Sequence, residues 1–466
     1  MMQHGKPHFF VGIGGSGMMP LAMILAGQGA TVAGSDRALD SGRLPAKFDA
    51  LRALGIELFA QDGSGIVSAD QMVIASAAVE DSVPDMVRAR ELGCARMSRA
   101  ELNAQLFNAA PMSIGVAGTS GKSTVTGMIA WVLHALGRDP TVMNGAVMKN
   151  FVAPDAPFAS ALVGGGDLYV SEVDESDGSI ALYTPQVAVL NNVSLDHKSL
   201  EELRALFGDF AGKAMTTVVN IGDAESAALF DALDRERTLS FAVEGDADLS
   251  ARNLTPEPFA IGFDLLMGGE TRRIRLSVPG AHNVANALAA IGACMAAGLD
   301  RDAVCGAIAG FTGLRRRFDL VGQAGGVAVI DDFGHNPDKI GATLDTLHAF
   351  PGRVLAMFQP HGFGPLKVMR RELVDMFAAK LRDDDLLVLP DPVYQGGTVA
   401  REVTSADIVA DIAARGRPAL HIADRAAAAA HLVATARPGD RIVIMGARDD
   451  TLSQLAAEMV GALRAR

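Results

Sequence analysis

Ten consecutive residues, Gly115-Val116-Ala117-Gly118-Thr119-Ser120-Gly121-Lys122-Ser123-Thr124, carry the residue types that grip a nucleoside triphosphate. Glycines let backbone N–H groups close on phosphate oxygens, and the Lys122 ammonium is placed to bridge the outer phosphates. The Ser123 hydroxyl suits magnesium, a hard ion that takes oxygen ligands. The spacing departs from the usual phosphate loop: Val116 stands five residues before Gly121, where a glycine is common, and Gly118 lies only three before it. A second run, Gly12-Ile13-Gly14-Gly15-Ser16-Gly17, suits the close approach of a diphosphate. Asp36 follows at the distance where an acid binds a ribose. By itself this second run fits a nicotinamide dehydrogenase, any other diphosphate ligand, or an ordinary α/β turn.

Glu172-Val173-Asp174-Glu175-Ser176-Asp177 places four acids in six positions. Beside a phosphate loop these read as ligands for magnesium and its water; the alternative is a solvated loop. His197 ends the run Asn191-Asn192-Val193-Ser194-Leu195-Asp196-His197. Magnesium prefers oxygen, so His197 is either an unusual metal ligand or a satisfied core histidine. Asn283 and Asn286 share one helical face, where they cap the helix or offer amides to an adenine edge.

Short apolar strands and following helices must position these groups. Met112-Ser113-Ile114 reads as a buried strand before the phosphate loop, and Val125 to Leu136 as a helix with Met128, Ile129, Val132 and Leu133 on its apolar side. His8–Val11, Thr31–Asp36 and Met72–Ala75 read as strands of an N-terminal unit, Leu168–Ser171 and Val187–Leu190 as strands of a central one. Val284–Leu299 is an alanine-rich helix with asparagine before and inside it, which fits a packed helix better than a membrane span. In the C-terminal third, Gly326–Asp332, Val354–Phe358, Leu386–Leu389 and Arg441–Met445 alternate with helical stretches, so a parallel sheet is expected, binding its ligand at the strand C-termini.

The 466 residues suggest two to four domains, and 49% hydrophobic with 20% charged residues is ordinary for globular cores. A net charge of −13 argues against nonspecific nucleic-acid binding. Cys94, Cys294 and Cys305 form no disulfide or metal pattern and read as small buried hydrophobes in a reducing compartment. The stretch Met1 to His8 lacks an apolar signal core, so the expectation is a cytoplasmic protein without membrane association.

Taken in order, the glycine-rich turn, the Gly-Thr-x-Gly-Lys-Ser loop, Glu-x-Asp-Glu-Ser-Asp, Asn-x-x-x-Asp-His, His-Asn-x-x-Asn-Ala, Arg-Arg-Phe and Asp-Asp-x-x-His-x-Pro resemble the Mur ligase family, closest to its alanine-adding and murein-tripeptide-recycling branches. The motifs run from Gly12 to Pro337, and weaker similarity continues to the end of the chain. The resemblance implies three α/β domains: a Rossmann-like UDP-substrate domain over 1–108, a central P-loop ATPase over 109–313, and a Rossmann-like domain for the amino substrate over 314–466. It implies ATP and Mg2+ as cofactors, with a UDP-sugar and an amino acid or peptide as substrates. The products are an amide, ADP and phosphate, formed through an acyl phosphate, and the protein is expected as a monomer or homodimer.

By the same resemblance, Gly12, Gly14, Gly15, Ser16 and Gly17, with Asp36, hold the uridine diphosphate, which replaces the dehydrogenase reading. Gly118, Thr119, Ser120, Gly121, Lys122, Ser123 and Thr124 hold ATP, Asn283 and Asn286 contact adenine, Arg317 meets the phosphates, and Asp332 meets the ribose or a nearby polar group. Ser123, Glu172 and His197 are the metal ligands, and Lys122, Glu172, His197 and His335 the catalytic set. His335 and His361 are candidates for the amine's pocket. Here the chain departs from alanine-adding relatives, which follow Gln-Pro-His with arginine and a further arginine three residues on; this chain has Gly362 and Pro365. Arginine grips a carboxylate through two parallel bonds, so its loss points to another acceptor or to Lys367, Arg370 or Arg448. Lys213 lies one place beyond the range in which some relatives use a carbamylated lysine, and no such role is assigned to it. A noncatalytic nucleotide-binding partner is the rival from another class.

Overall fold

The computed structural model describes residues 6–77, 79–194, 198–393, 401–447 and 449–466. The chain forms a three-domain α/β fold built on three parallel-rich sheets. By contacts it divides into two compact units. Met1–Leu254, Gly262–Ser277 and Asn283–Gly313 make the first; Thr255–Ile261, Val278–His282 and Leu314–Arg466 make the second.

The N-terminal sheet comprises β1 (His8–Val11), β2 (Val32–Ser35), β3 (Glu57–Phe59), β4 (Met72–Ala75) and β5 (Ala95–Ser98). Its order is β3-β2-β1-β4-β5, all parallel. The order reverses between β1 and β4, and ligands of such sheets lie at the carboxyl ends of the strands beside that reversal. The glycine-rich turn leaves β1 there.

The central sheet contains β6 (Met112–Ala117), β7 (Thr141–Met143), β8 (Ala161–Leu162), β9 (Leu168–Glu172), β10 (Val187–Leu190), β11 (Thr216–Asn220), β12 (Thr238–Val243), β13 (Leu249–Glu257), β14 (Ala260–Met267) and β15 (Glu270–Leu276). Its order is β15-β14-β13-β12-β11-β10-β6-β9-β7-β8. Strand β6 is buried along almost its whole length and lies between β10 and β9, parallel to both. Such a strand, covered on both faces, reads as an unbroken apolar run rather than an alternating one.

These two sheets share one apolar core. Met18, Leu21 and Leu25 of helix Met18–Gly27 and Phe107 of helix Arg99–Ala109 cluster with Tyr169, Leu190, Phe207 and Phe210. Phe107 meets the rings of Tyr169 and Tyr183 edge-on, with centroids 6.0 and 5.2 Å away. Asn103, one turn before it and 1% exposed, is the polar centre of that contact. Its amide donates to Ser171 Oγ and to the Tyr183 hydroxyl, each at 2.9 Å, and accepts from the Tyr169 hydroxyl at 2.9 Å.

The second unit carries β16 (Asp319–Ala324), β17 (Val327–Asp332), β18 (Val354–Phe358), β19 (Leu386–Leu389), β20 (Ala419–His421) and β21 (Arg441–Met445), in the order β16-β17-β21-β18-β19-β20. The expectation of a parallel sheet holds except at its edge, where β16 runs antiparallel to β17 with a bulge between Leu320 and Gly322. A short turn joins these two strands, so no crossover helix is available to make them parallel. Among the described residues no helix is long and apolar enough to cross a membrane, and the alanine-rich helix is Ala281–Ala296.

Candidate functional site

Strand register assembles the phosphate loop and its walls. Val116 of β6 pairs with Glu172 of β9, and Ala117 with Leu190 of β10. The loop leaving β6 is therefore flanked by Glu172 on one side and by Asn191-Asn192 on the other. Gly118 and Gly121 adopt φ of +136° and +85°, which an L side chain resists. A Cβ on Gly121 would run into the amides of Asn191 and Asn286. Gly121 is the cap of a helix that starts at Lys122 and ends at Ala135, three residues earlier than its apolar pattern begins.

Asparagines hold the loop. Ser120 N donates to Asn192 Oδ1 at 2.8 Å, and the amides of Asn191 and Asn192 both donate to Ser120 O at 3.0 Å. Asn191 also donates to Asn286 Oδ1 at 3.0 Å, and Asn286 to Asn283 Oδ1 at 3.1 Å. Thr119 Oγ1 donates to Ser194 O and accepts from Ser194 N. Asn283 and Asn286 thus stand in the wall of the phosphate loop, bonded to each other through their side chains. Asn191 and Asn192 were not singled out in the sequence; their signal was the Asn-Asn pair at the end of an apolar run.

Lys122 Nζ donates to Gly118 O at 2.7 Å and to Glu175 Oε2 at 2.9 Å. Burial works against its ammonium, but the carboxylates of Glu175, Asp174 and Glu172 outweigh that and hold it charged, above the usual lysine range. Burial pushes the Glu175 carboxyl up against the pull of Lys122. For Asp174, burial is outweighed by Lys122 and by the Ser176 amide, and its carboxyl lies below the usual range. Ser123 Oγ donates to Glu172 Oε2 at 2.6 Å, and Asn144 anchors the Ser123 carbonyl at 2.9 Å. Ser123 and Glu172 form an all-oxygen pair of the kind that suits magnesium. His197 lies outside the described residues. Among the described residues no three His, Cys, Asp or Glu side chains gather to hold an ion.

In the N-terminal sheet, Asp36 turns back on the glycine run. Its Oδ2 accepts from Gly14 N and its Oδ1 from Ala38 N, both at 2.8 Å, and it caps helix Arg37–Asp40. Gly12 takes φ +78°, and a Cβ on Gly14 would stand 2.9 Å from Asp36 Oδ2. Gly15, Ser16 and Gly17 complete the turn into helix Met18–Gly27.

In the second unit, the C-termini of β17, β21 and β18 lie side by side, with Asp332 paired to Met445 and Phe358 to Met445. This brings the rings of His335 and His361 together edge-on, with centroids 5.4 Å apart. His335 Nδ1 bonds Phe333 O at 2.9 Å; a carbonyl only accepts, so Nδ1 carries the proton and Nε2 the lone pair. Burial, with Lys339, His361 and Arg317 nearby, pushes the His335 imidazole down to about 3. Asp332 is engaged by Phe318 N, Gly334 N and Thr343 Oγ1 at 2.8 to 3.0 Å, tying the strand end to its flanking loops. Arg316 is buried and donates to Gly446 O at 2.7 Å, whereas Arg317 lies over the Phe333 ring at 4.2 Å. Arg316 and Phe318, on either side of Arg317, both take positive φ, an uncommon conformation for such residues.

The loop after Gln359 forms helix Phe363–Val368. Lys367 on it is exposed and pairs with Glu402 at 2.5 Å, and Arg370 pairs with Asp411 at 2.8 Å. Arg448 lies outside the described residues. Lys213 bonds Asp209 and the Ala181 carbonyl.

Three family descriptions match in order: "Mur ligase family, catalytic domain" over 8–110, "Mur ligase middle domain" over 116–294, and "Mur ligase, glutamate ligase domain" over 316–448. The chain is 36% identical over 457 residues to a UDP-N-acetylmuramate–L-alanine ligase of Streptomyces coelicolor, covering 96% of this chain and 95% of that one. It matches the crystal structure of UDP-N-acetylmuramate-alanine ligase MurC from Thermotoga maritima with a TM-score of 0.80 at 25% identity, over 99% of both chains. A murein peptide ligase from Psychrobacter arcticus shares the fold, with a TM-score of 0.70 at 22% identity over 99% of both chains.

Proposed function

This chain belongs to the Mur ligase family of enzymes, and from that premise we propose that it joins the carboxylate of UDP-N-acetylmuramate, or a close relative, to an amine at the expense of ATP. The observation that carries the reading is the cluster at the end of β6, where Lys122, Ser123 and Glu172 converge on the glycine loop. A carboxylate is a poor electrophile. Its oxygen attacks the γ-phosphorus of ATP, giving an acyl phosphate and ADP; the amine then attacks the acyl carbon and phosphate leaves. Lys122 exchanges its hold on Glu175 for the outer phosphates, and the backbone N–H groups of Gly118 to Thr124 cradle them. Asn283 and Asn286 take the adenine edge. Ser123, Glu172 and His197 would hold a magnesium ion, which when bound neutralises charge on the transferring phosphoryl group.

His335 is too weak a base to strip a proton from an ammonium at neutral pH. Its Nε2 lone pair instead accepts a hydrogen bond from the incoming amine and orients it, beside His361. The acceptor is an amino acid or a peptide. A relative working with another amine or acid outside the main wall pathway is the second reading, favoured by one observation: Lys367, the cation nearest in sequence to the lost arginines, is already paired with Glu402. Phosphate release with ATP, magnesium and UDP-N-acetylmuramate, across a panel of amino acids and muropeptides, tests both. Release with one amine and a product of matching mass names the bond formed; no release with any amine sinks the acid assignment.

A further inference from the structure

The chain leaving β7 runs past the Ser123–Glu172 pair. Met143, the last residue of β7, pairs with Ser171 of β9, so Asn144 and Gly145 follow alongside Glu172 at the carboxyl edge of the sheet. A Cβ built on Gly145 would collide with Oε1 of Glu172, and its next neighbours are Cδ and Oε2 of the same side chain, at 3.3 and 3.7 Å. Gly145 does not take a positive φ, so its backbone could carry a side chain. What this glycine leaves open is the space that the Glu172 carboxylate fills.

Asn144 works on the other member of the pair. It is fully buried. Its amide donates to Ser123 O at 2.9 Å and accepts from Ala146 N at 3.0 Å, and its own N–H donates to Ser160 O at 3.0 Å. The turn after β7 is thereby tied to the second residue of helix Lys122–Ala135, whose hydroxyl donates to Glu172 Oε2 at 2.6 Å. Glutamate is long and rich in rotamers, and a carboxylate already held in place binds an ion with less ordering left to do. Resting on the reading of Ser123 and Glu172 as magnesium ligands given above, we propose that Asn144 and Gly145 are positioning residues that set this pair for the ion accompanying ATP. Asn144 acts by bonding the backbone of Ser123, and Gly145 by having no side chain where the Glu172 carboxylate lies.

Calorimetric titration of the full chain with ATP, once in magnesium and once in EDTA, tests this. Gly145→Ala is expected to weaken Mg-ATP by about ten- to a hundredfold and to leave metal-free ATP within about twofold of the parent, because the added methyl displaces only the Glu172 carboxylate. On a Glu172→Ala background the same methyl meets vacant space, so it should cost Mg-ATP no more than about a further twofold. Asn144→Asp keeps the bond from Ala146 but sets a carboxylate oxygen against the Ser123 carbonyl, and should also lose Mg-ATP in preference to metal-free ATP. Unchanged Mg-ATP affinity in Gly145→Ala overturns the assignment. So does an equal loss of both forms, or a full further loss on the Glu172→Ala background, since each marks a merely structural glycine. Absence of the split in Asn144→Asp overturns the part given to Asn144. If the parent protein binds ATP no better in magnesium than in EDTA, the reading of Ser123 and Glu172 as metal ligands itself fails and takes the positioning roles with it.

Discussion

In the free chain Lys122 is bonded to Glu175 and to the Gly118 carbonyl, so its charge is already balanced before any phosphate arrives. Lys122→Ala removes a donor from the transferring phosphoryl group, and turnover with ATP should fall by about 10²- to 10³-fold or more. Glu175, left buried without its partner, takes up a proton rather than unfolding the domain, so circular dichroism stays native. Near-normal phosphate release from the variant would sink the ligase assignment. At the other end of the chain, the half-buried His335 imidazole is pushed below its ordinary value, chiefly by desolvation. A folded state that refuses protons is weakened wherever the unfolded chain accepts them. Stability is therefore full above about pH 6.5 and falls as pH drops toward the folded value, by at most about 1.4 kcal/mol per pH unit for this group. Thermal melts of His335→Gln between pH 7 and 5 should show a shallower decline than the parent; identical slopes would place the acid sensitivity elsewhere.

Among the elements, strand β6 and helix Lys122–Ala135 were legible because their signals are local: an apolar run, glycines, a lysine and a helical repeat. The same holds for the glycine turn after β1 and for the strands ending in Glu172, Asp332 and Phe358. Asn103 was not legible. Its helix opens with a capping box, Ser98 and Glu101, which could have marked it, but its partners lie some 70 to 80 residues away in sequence. The short strands β16 and β20 went unread for the same reason, since pairing rather than propensity makes them. The helix carrying Asn283 and Asn286 was seen, yet not that its amides brace the phosphate loop through Asn191. Two predictions follow from this packing. Asn103→Ala strips partners from the buried hydroxyls of Tyr169 and Tyr183 and should cost the first unit about 2–4 kcal/mol, read by denaturant unfolding. Gly121→Ala adds a Cβ where φ is positive and two amides already stand; it should abolish detectable Mg-ATP binding by calorimetry, while wild-type-like affinity would show that the loop yields.

For the whole molecule, three thiols serve as natural reporters. Cys94, Cys294 and Cys305 are all pushed above the usual thiol range by burial, so little thiolate is present in the folded chain at pH 8. A thiol reagent should react slowly with the native protein, reach all three only on unfolding, and leave turnover unchanged; rapid loss of activity would put a cysteine at the site. The amide chain running from Ser120 through Asn191 to Asn286 and Asn283 has a further consequence, in time rather than space. The loop is made early in synthesis and its bracing helix about 160 residues later, a delay of roughly ten to thirty seconds at about 5–20 residues per second. Throughout that interval the nascent chain carries a phosphate loop without its wall. On the function proposed above, a stalled chain ending short of Asn286 is expected to bind Mg-ATP more weakly than the full chain.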